Sequence, residues 1–242
     1  MKNFIPEVAV IAGVGPGLGA SLARKLAKEG CRLGLLAKSS DFLEAFSEEL
    51  RALGTEVLAI PTDIGQADLV NAAFRQVREQ LGAVDLLINN ASASGPFGQA
   101  FTDISPESFE RGWRVGVLGS FLCSQAVVPG MLLKEGGCLL FTGATSSVRG
   151  AAITFSSAKF ALRGLVQALA RELWPKGIHV AHIVIDGVIR ENEMEPEAED
   201  QSTEPLMNPA AIAESYWMLV KQDRSAWTLE LDLRPDREKF FE

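Results

Sequence analysis

The sequence predicts an α/β fold in which a doubly wound parallel sheet carries helices on both faces. Short apolar runs alternate along the chain with longer stretches in which apolar residues recur at helical spacing. The runs are nearly continuous in apolar residues, which is typical of parallel strands that are covered on both faces. Their regular alternation with helices favours right-handed β-α-β units. Because the 242 residues show no internal repeat and no linker, we expect one domain over residues 1–242.

In chain order, the apolar runs predict strands and the stretches between them predict helices. The strands are Val8–Ala12, Arg32–Ala37, Val57–Pro61, Val84–Asn89, Cys138–Thr142 and Ile178–Ile185. The helices are Leu18–Glu29, Asp41–Leu53, Gln66–Leu81, Pro106–Leu133 and Phe155–Trp174. Asp41 has the residue type of a helix N-cap, and Gly54 that of a residue that ends a helix. Further along, Pro209–Gln222 has the pattern of a helix and Thr228–Leu233 alternates like a final strand.

The composition excludes several classes of protein. A formal charge of −8 argues against binding to a nucleic-acid backbone. No stretch has the roughly 18 unbroken apolar residues of a membrane span, and the first residues lack the apolar core of a secretory signal. Cys31, Cys123 and Cys138 lie far apart, which favours a reducing compartment, hence a cytoplasmic protein, and no structural zinc. His179 and His182 lie within a predicted strand, where we expect them to be packed rather than to bind a metal.

One segment departs from the average composition. Residues Glu191–Glu204 contain seven acidic residues and no lysine or arginine, so nearly all of the net charge of −8 is local. A solvated flexible loop would explain this segment, and so would a gating lid, over about residues 190–207, above a ligand site. The sequence leaves both interpretations open.

A glycine-rich turn joins the first predicted strand to the first predicted helix. Gly13 would allow the tight turn, Gly17 would let the backbone approach a phosphate, and Gly19 would let the helix pack closely on the strand. The helix that opens at Leu18 then directs free N–H groups and a partial positive charge at the anion. The turn therefore predicts a site for the diphosphate of a nucleotide, in a Rossmann-type sheet.

With these motifs the chain resembles the short-chain dehydrogenase/reductase family. The glycines have the GxxxGxG spacing of that family, and three later motifs match: Asp63 after the third strand, Asn89-Asn90-Ala91 after the fourth and Lys159 on the helix after the fifth. The resemblance implies that Asp63 and Ile64 hold the adenine, and that Asn90 and Ala91 line the ribose and nicotinamide side. Taken alone, Asp63 could be a helix-capping residue and the Asn-Asn-Ala segment only a turn.

Two further positions concern the cofactor. The resemblance implies that the backbone of Val188 and Ile189 contacts the nicotinamide carboxamide, after a turn in which Asp186 replaces the family's proline. Without the proline ring we expect a less rigid turn. At the end of the second strand stands Lys38 rather than an acidic residue, and a lysine suits a 2′-phosphate, which favours NADP(H) over NAD(H). A surface lysine with no such role is the alternative.

The resemblance also implies a catalytic tyrosine that exchanges the proton, a lysine one helical turn later, a serine and an asparagine. Of these four groups only the lysine, Lys159, is present. Phe155 stands at the tyrosine position, Ala144 at the serine position and Gly116 at the asparagine position. The segment from Ala144 to Phe155 is shorter than is usual in the family, so Thr145 and Ser146 are imperfect substitutes for the serine.

These substitutions leave two interpretations of function. The chain could be an atypical NADP(H)-dependent oxidoreductase that takes its proton from Thr145, Ser156, Ser157 or water, or that acts on a substrate needing little protonation. It could instead be a non-catalytic dinucleotide-binding protein that acts as a sensor, a regulator or a ligand carrier. The only tyrosine in the chain, Tyr216, lies on another predicted helix, and we do not expect it to replace the missing acid.

The expected partners are a small molecule and other copies of the chain. Family geometry places a mostly apolar wall at Ala93–Phe97, Ile153, Thr154 and Val188–Met207. The resemblance implies a homo-oligomer, a tetramer or a dimer, paired through Pro106–Leu133, Phe155–Trp174 and the C-terminal helix and strand. The helix Phe155–Trp174 carries apolar residues on more than one face, which is consistent with burial against a partner.

Overall fold

The computed structural model describes residues 4–92, 99–191 and 205–237. Among these residues, seven strands form one sheet. The strands are β1 Val8–Ala12, β2 Arg32–Ala37, β3 Val57–Pro61, β4 Leu86–Asn89, β5 Gly137–Thr142, β6 Ile178–Ile185 and β9 Glu230–Leu233. They lie in the order β3-β2-β1-β4-β5-β6-β9, and every pairing is parallel. The predicted α/β class with a parallel sheet is therefore confirmed.

Helices cover both faces of the sheet. They are α1 Leu18–Lys28, α2 Ser40–Ala52, α3 Ala67–Gln80, α4 Pro106–Trp113, α5 Ser120–Leu133, α6 Ile153–Leu173 and α7 Pro209–Val220. Helices α1, α2 and α7 share one apolar core with the sheet, and α3, α5 and α6 share the other. Successive residues of β1 alternate between the two cores, Ala9 and Ile11 facing the first, Val8 and Val10 the second.

The strand order reverses at β1, whose neighbours are β2 and β4. At such a point the connections leave β1 and β4 toward opposite faces of the sheet, and a crevice opens beyond the carboxyl ends of the strands. The glycine-rich turn follows β1, and Asn90 follows β4. The topology alone thus brings the motifs singled out in the sequence to one edge of the sheet.

The helix α2 begins and ends one residue earlier than predicted. Asp41 is not the N-cap of its helix, because α2 begins at Ser40 with Ser39 as the capping position. Asp41 lies instead in the first turn, where a carboxylate interacts favourably with the positive end of the helix dipole. The interpretation of Gly54 is confirmed: it follows the C-cap Leu53 with a φ of +86°, a conformation that favours glycine.

The predicted helix Pro106–Leu133 is not regular. Residues Arg114–Gly119 form a π-helical segment between α4 and α5, a single feature that apolar periodicity does not reveal. Both ends of this segment are closely packed. A Cβ added at Gly112 would lie 2.6 Å from the Thr154 side chain, and one added at Gly119 would lie 2.7 Å from the Ile64 side chain. This 28-residue stretch is long and apolar enough to cross a membrane, but it packs as a core helix of the domain.

A small sheet at the acidic segment was missed. Strands β7, Val188–Ile189, and β8, Leu206–Met207, pair in parallel and form a second, two-stranded sheet. Two-residue strands give too little alternation to be recognised in the sequence. Residues 192–204 of the predicted loop or lid, and the predicted wall residues Ala93–Phe97, lie outside the described residues.

Both histidines are packed residues of β6. His179 hydrogen-bonds the Thr228 carbonyl at 2.9 Å, and His182 Nδ1 lies 3.1 Å from the Glu230 carboxylate. Each side chain is almost completely buried. Within residues 4–92, 99–191 and 205–237, His, Cys, Asp and Glu side chains form no group of three or more that could hold a metal ion.

Candidate functional site

A cavity of about 610 Å³ opens where the strand order reverses, beyond the carboxyl ends of β1 to β4. It brings together nine of the residues predicted to bind a cofactor: Gly13, Gly17, Leu18, Gly19, Lys38, Asp63, Ile64, Asn90 and Ala91. Sequence reasoning missed Ser92, Arg111 and Val115, which also line the cavity. Arg111 and Val115 come from the α4 region, which no local motif connects to a nucleotide site.

The first glycine of the turn has a backbone that only glycine tolerates well. Gly13 has a φ of +103°, and a Cβ added there would lie 2.3 Å from the backbone nitrogen of Ala91. The amides of Gly13 and Val14 both donate to the Leu36 carbonyl, at 2.8 and 3.1 Å. The turn is therefore held between the ends of β2 and β4, and its shape depends on the missing side chain.

The other two glycines shape the start of α1. A Cβ at Gly19 would lie 2.8 Å from the Gly13 carbonyl oxygen, so α1 packs directly on the turn. A Cβ at Gly17 would lie 3.2 Å from the Arg190 carbonyl oxygen. In the described part of the chain no side chain caps the start of α1, which leaves the positive end of the helix dipole facing the cavity. This arrangement suits a diphosphate.

Lys38 and Asp63 form an ion pair at the end of the cavity where the resemblance implies that the adenine would bind. Lys38 Nζ is 2.8 Å from Asp63 Oδ2, and the Lys38 side chain is 64% exposed. Asp63 Oδ1 accepts from the Gly65 amide at 3.0 Å. Burial raises the pKa of Asp63, but the hydrogen bonds from Lys38 and Gly65 and the lysine charge outweigh it and hold the pKa below its usual value. Lys38 can swing toward a ligand at little cost, because an exposed ion pair is weak.

Lys159 lies on α6 and is not among the described residues that line the cavity. Its side chain is 4% exposed, and Nζ donates to the Thr142 carbonyl at 2.7 Å. The ammonium also lies 5.3 Å from the centre of the Phe155 ring, one turn earlier on the same helix. Burial lowers the pKa of Lys159 to about 8. The predicted i, i+4 pairing of residues 155 and 159 is thus present, with a phenyl ring in place of a phenol.

Two other predicted catalytic positions, Thr145 and Gly116, lie on segments that contact α6, and Ala144 directly precedes the first of them. The Ala144 amide donates to Ser147 Oγ at 3.2 Å, and among the described residues the buried Thr145 Oγ1 has no hydrogen-bond partner. Gly116 lies in the π-helical segment, and its carbonyl accepts from Ser120 Oγ at 2.9 Å. A Cβ at Gly116 would meet only Ala158 Cβ, at an ordinary 3.7 Å. A side chain at position 116 therefore fits next to the residue that precedes Lys159.

Tyr216 is buried and is not among the described residues that line the cavity. It lies on α7 and is 1% exposed, and burial raises the pKa of its hydroxyl above the usual value. The hydroxyl is 2.8 Å from Thr142 Oγ1. The expectation that Tyr216 does not replace a tyrosine at position 155 is consistent with this burial.

The turn after β6 is held by an ion pair. Asp186 and Arg234 are paired, with side chains only 11% and 10% exposed, and Arg234 also pairs with Asp232 at 2.7 Å. The Asp186 amide donates to the Leu233 carbonyl at 3.0 Å. These contacts fasten Asp186 to the end of β9, and the expectation of a less rigid turn stays a prediction. The following residues, Val188 and Ile189, form β7 and are not among the described residues that line the cavity.

Comparisons with known proteins agree with this geometry. The model of the short chain dehydrogenase family matches residues 7–202. The chain is 30% identical over 194 residues to a 3α-hydroxysteroid dehydrogenase of Mediterraneibacter gnavus, covering 78% of this chain and 75% of that protein. It is also similar to the solved structure of an alcohol dehydrogenase from Thermococcus sibiricus complexed with 5-hydroxy-NADP, with 29% identity, a TM-score of 0.84 and coverage of 96% and 98% of the two chains. A metagenomic short-chain oxidoreductase in complex with NADP gives 25% identity, a TM-score of 0.82 and the same coverage of 96% and 98%.

Proposed function

Because the chain belongs to the short-chain dehydrogenase family, we propose that it is an NADP(H)-dependent oxidoreductase acting on a small, largely apolar substrate. The observation that carries this proposal is the cavity at the strand reversal, where nine predicted cofactor residues meet. Relatives that are themselves named dehydrogenases favour an oxidoreductase over a non-catalytic sensor or carrier. The other features of the site fit the same proposal.

The residues present fit a nicotinamide dinucleotide. The start of α1 and the glycine-rich turn would hold the diphosphate, and Asp63 and Ile64 the adenine. Asn90, Ala91 and Lys159 would face the ribose and nicotinamide side, with Val188 and Ile189 at the carboxamide. When bound, such a cofactor supplies or accepts a hydride. Two similar solved structures are complexes with NADP and with 5-hydroxy-NADP, and Lys38 suits the 2′-phosphate of NADP(H).

The proton must come from a group other than a tyrosine at position 155. Phe155 has no ionisable proton, and Ala144 and Gly116 lack the hydroxyl and amide of the family site. Of the candidate donors we favour the Thr145 hydroxyl, because it directly follows Ala144 and its buried Oγ1 has no hydrogen-bond partner among the described residues. A reduction needs a proton on the substrate heteroatom, and here Thr145 would relay that proton from a water, which leaves hydroxide, or the water would donate it directly. We therefore expect slow turnover of ordinary ketones and better turnover of substrates that need little protonation.

The cofactor assignment is tested by titrating the wild-type protein and Lys38→Ala with NADPH and NADH while following nucleotide fluorescence. We expect the wild-type protein to bind both, and NADPH more tightly. Lys38→Ala should weaken NADPH binding by about 1–3 kcal/mol, the strength of a charged hydrogen bond, and leave NADH nearly unchanged. The lower end of this range is expected because the Lys38 side chain is 64% exposed.

Lys176→Ala removes the same charge at the opposite edge of the sheet, before β6, and serves as the matched control. Equal weakening of both nucleotides by Lys38→Ala would contradict the role of Lys38. Failure of the wild-type protein to bind either nucleotide at millimolar concentration would contradict the oxidoreductase itself.

We also propose a cytoplasmic homo-oligomer, a tetramer or a dimer. Large aromatic side chains are half-exposed on α4, α5 and α6, among them Phe109, Phe121 and Phe160. Such surface is usually covered in the assembled protein. Light scattering at micromolar concentration should give a multiple of 26.1 kDa. Phe160→Glu should lower that mass, whereas Leu53→Glu, at an exposed apolar residue of another helix end, should not; a monomeric wild-type protein would refute the assembly.

A further inference from the structure

A chain of hydrogen bonds crosses the sheet from the only tyrosine of the sequence to the glycine-rich turn. The Tyr216 hydroxyl on α7 lies 2.8 Å from Thr142 Oγ1, at the end of β5. Thr142 Oγ1 in turn lies 2.9 Å from Asn90 Oδ1, after the end of β4. Asn90 Nδ2 lies 2.7 Å from the carbonyl oxygen of Gly13. Four residues from four separate segments are thus joined by three short hydrogen bonds.

The Gly13 carbonyl, at the end of the series, determines which group donates in each of the three hydrogen bonds. The Gly13 carbonyl can only accept, so Asn90 Nδ2 donates to it and Asn90 presents Oδ1 to Thr142. The single hydroxyl proton of Thr142 is donated to that oxygen. The Tyr216 hydroxyl must therefore donate to Thr142 Oγ1. Reversing any one of these three hydrogen bonds would bring two donors or two acceptors face to face. The series of hydrogen bonds therefore allows only one orientation of the Asn90 amide.

Thr142 also holds the second polar residue of the site. Its backbone carbonyl accepts from Lys159 Nζ at 2.7 Å, while its side chain holds Asn90. Lys159 is 4% exposed and Tyr216 is 1% exposed, so neither group can exchange its Thr142 contact for bulk water. Hydrogen bonds in such surroundings are stronger than on a surface and costly to leave unmade.

We propose that Thr142 and Tyr216 are positioning residues of the dinucleotide site. They fix the Asn90 amide, and Asn90 in turn fixes the Gly13 carbonyl and with it the shape of the diphosphate turn. This inference rests on the proposed function, because it takes the turn to hold the dinucleotide. Loss of the Thr142 hydroxyl would leave Asn90 Oδ1 without its donor and allow the amide to rotate away from Gly13. Loss of the Tyr216 hydroxyl would remove only the donor that orients Thr142.

The test compares NADPH dissociation constants, measured by nucleotide fluorescence below the melting temperature of each variant. Thr142→Val keeps the shape of the side chain and the carbonyl that holds Lys159, and should weaken NADPH binding about tenfold. Tyr216→Phe keeps the ring and should weaken it about threefold, since Thr142 can still donate to Asn90. Thr142→Ser retains the hydroxyl and should bind NADPH within about twofold of wild type.

Ser47→Ala is the matched control, because it removes another fully buried hydroxyl, on α2, that has no hydrogen-bond partner among the described residues. It should leave NADPH binding unchanged. If Thr142→Val and Tyr216→Phe lower the melting temperature but keep the wild-type affinity for NADPH, the two residues are merely structural and the inference is overturned. If the wild-type protein binds no NADPH, the proposed function fails, and this inference fails with it.

Discussion

Gly13→Ala is expected to weaken dinucleotide binding severely, whereas Gly164→Ala, which adds the same methyl group on α6, should bind as wild type does. At position 13 the new Cβ would lie 2.3 Å from the Ala91 nitrogen and 2.4 Å from its Cα, and backbone atoms cannot move aside as a flexible side chain can. The φ of +103° adds strain of about 1–3 kcal/mol for any residue with a side chain. At Gly164, by contrast, a Cβ meets no atom within 4 Å among the described residues, and the position is not among those that line the cavity.

The expected loss of NADPH affinity for Gly13→Ala is at least about 100-fold, on the order of 3 kcal/mol. The turn must open to admit the methyl group, which separates the Gly13 amide from the Leu36 carbonyl and displaces Asn90. Binding is measured by nucleotide fluorescence, and circular dichroism reports whether each variant is folded. If a folded Gly13→Ala protein binds NADPH as tightly as wild type, the dinucleotide binds elsewhere, because the turn cannot keep its shape in that variant.

Residues close together in the sequence account for most of what could be predicted. The strand runs, such as Val8–Ala12 and Ile178–Ile185, were found because a strand covered on both faces must be apolar at successive positions. The glycine turn was found because its geometry requires a fixed local spacing. The parallel topology then follows, and it alone brings Gly13, Asp63 and Asn90 to one cavity.

Contacts between distant residues account for most of what could not be predicted. The ion pair of Asp186 is not evident from the sequence, because its partner, Arg234, lies 48 residues further along the chain. The link between Thr142 and Tyr216 spans 74 residues, and neither residue belongs to a local motif. The π-helical segment Arg114–Gly119 escapes periodicity because one added residue shifts the helical phase without changing the composition. For Asp186 and for Thr142, the determining partner lies outside any local window of sequence.

A second large effect is expected from restoring the groups that the family uses for proton transfer. Lys159 Nζ already lies 5.3 Å from the centre of the ring at position 155, so Phe155→Tyr places a phenol beside a buried ammonium. A nearby positive charge favours the phenolate and lowers the phenol pKa. We expect a hydroxyl at position 155 alone to be insufficient. Ala144 has no hydroxyl to hold the substrate oxygen, and a short backbone segment from residue 144 to residue 155 would displace the groups at its two ends from their positions in the family. A misplacement of about 1 Å can cost on the order of 10²-fold in rate.

We therefore expect Phe155→Tyr alone to leave ketone reduction near background and Phe155→Tyr with Ala144→Ser to give a small, measurable rate. Gly116→Asn should add to that rate, since a side chain at 116 meets only Ala158 Cβ, at 3.7 Å. Consumption of NADPH with a panel of ketones gives the rates, and Lys159→Met in the double variant should remove the gain, because the phenol then loses its cation. Brisk turnover by Phe155→Tyr alone would mean that the substrate is already held in line with the hydride. Position 155 would then be the one missing group, and the slow chemistry proposed for the natural chain would reflect the absence of a proton donor and nothing else.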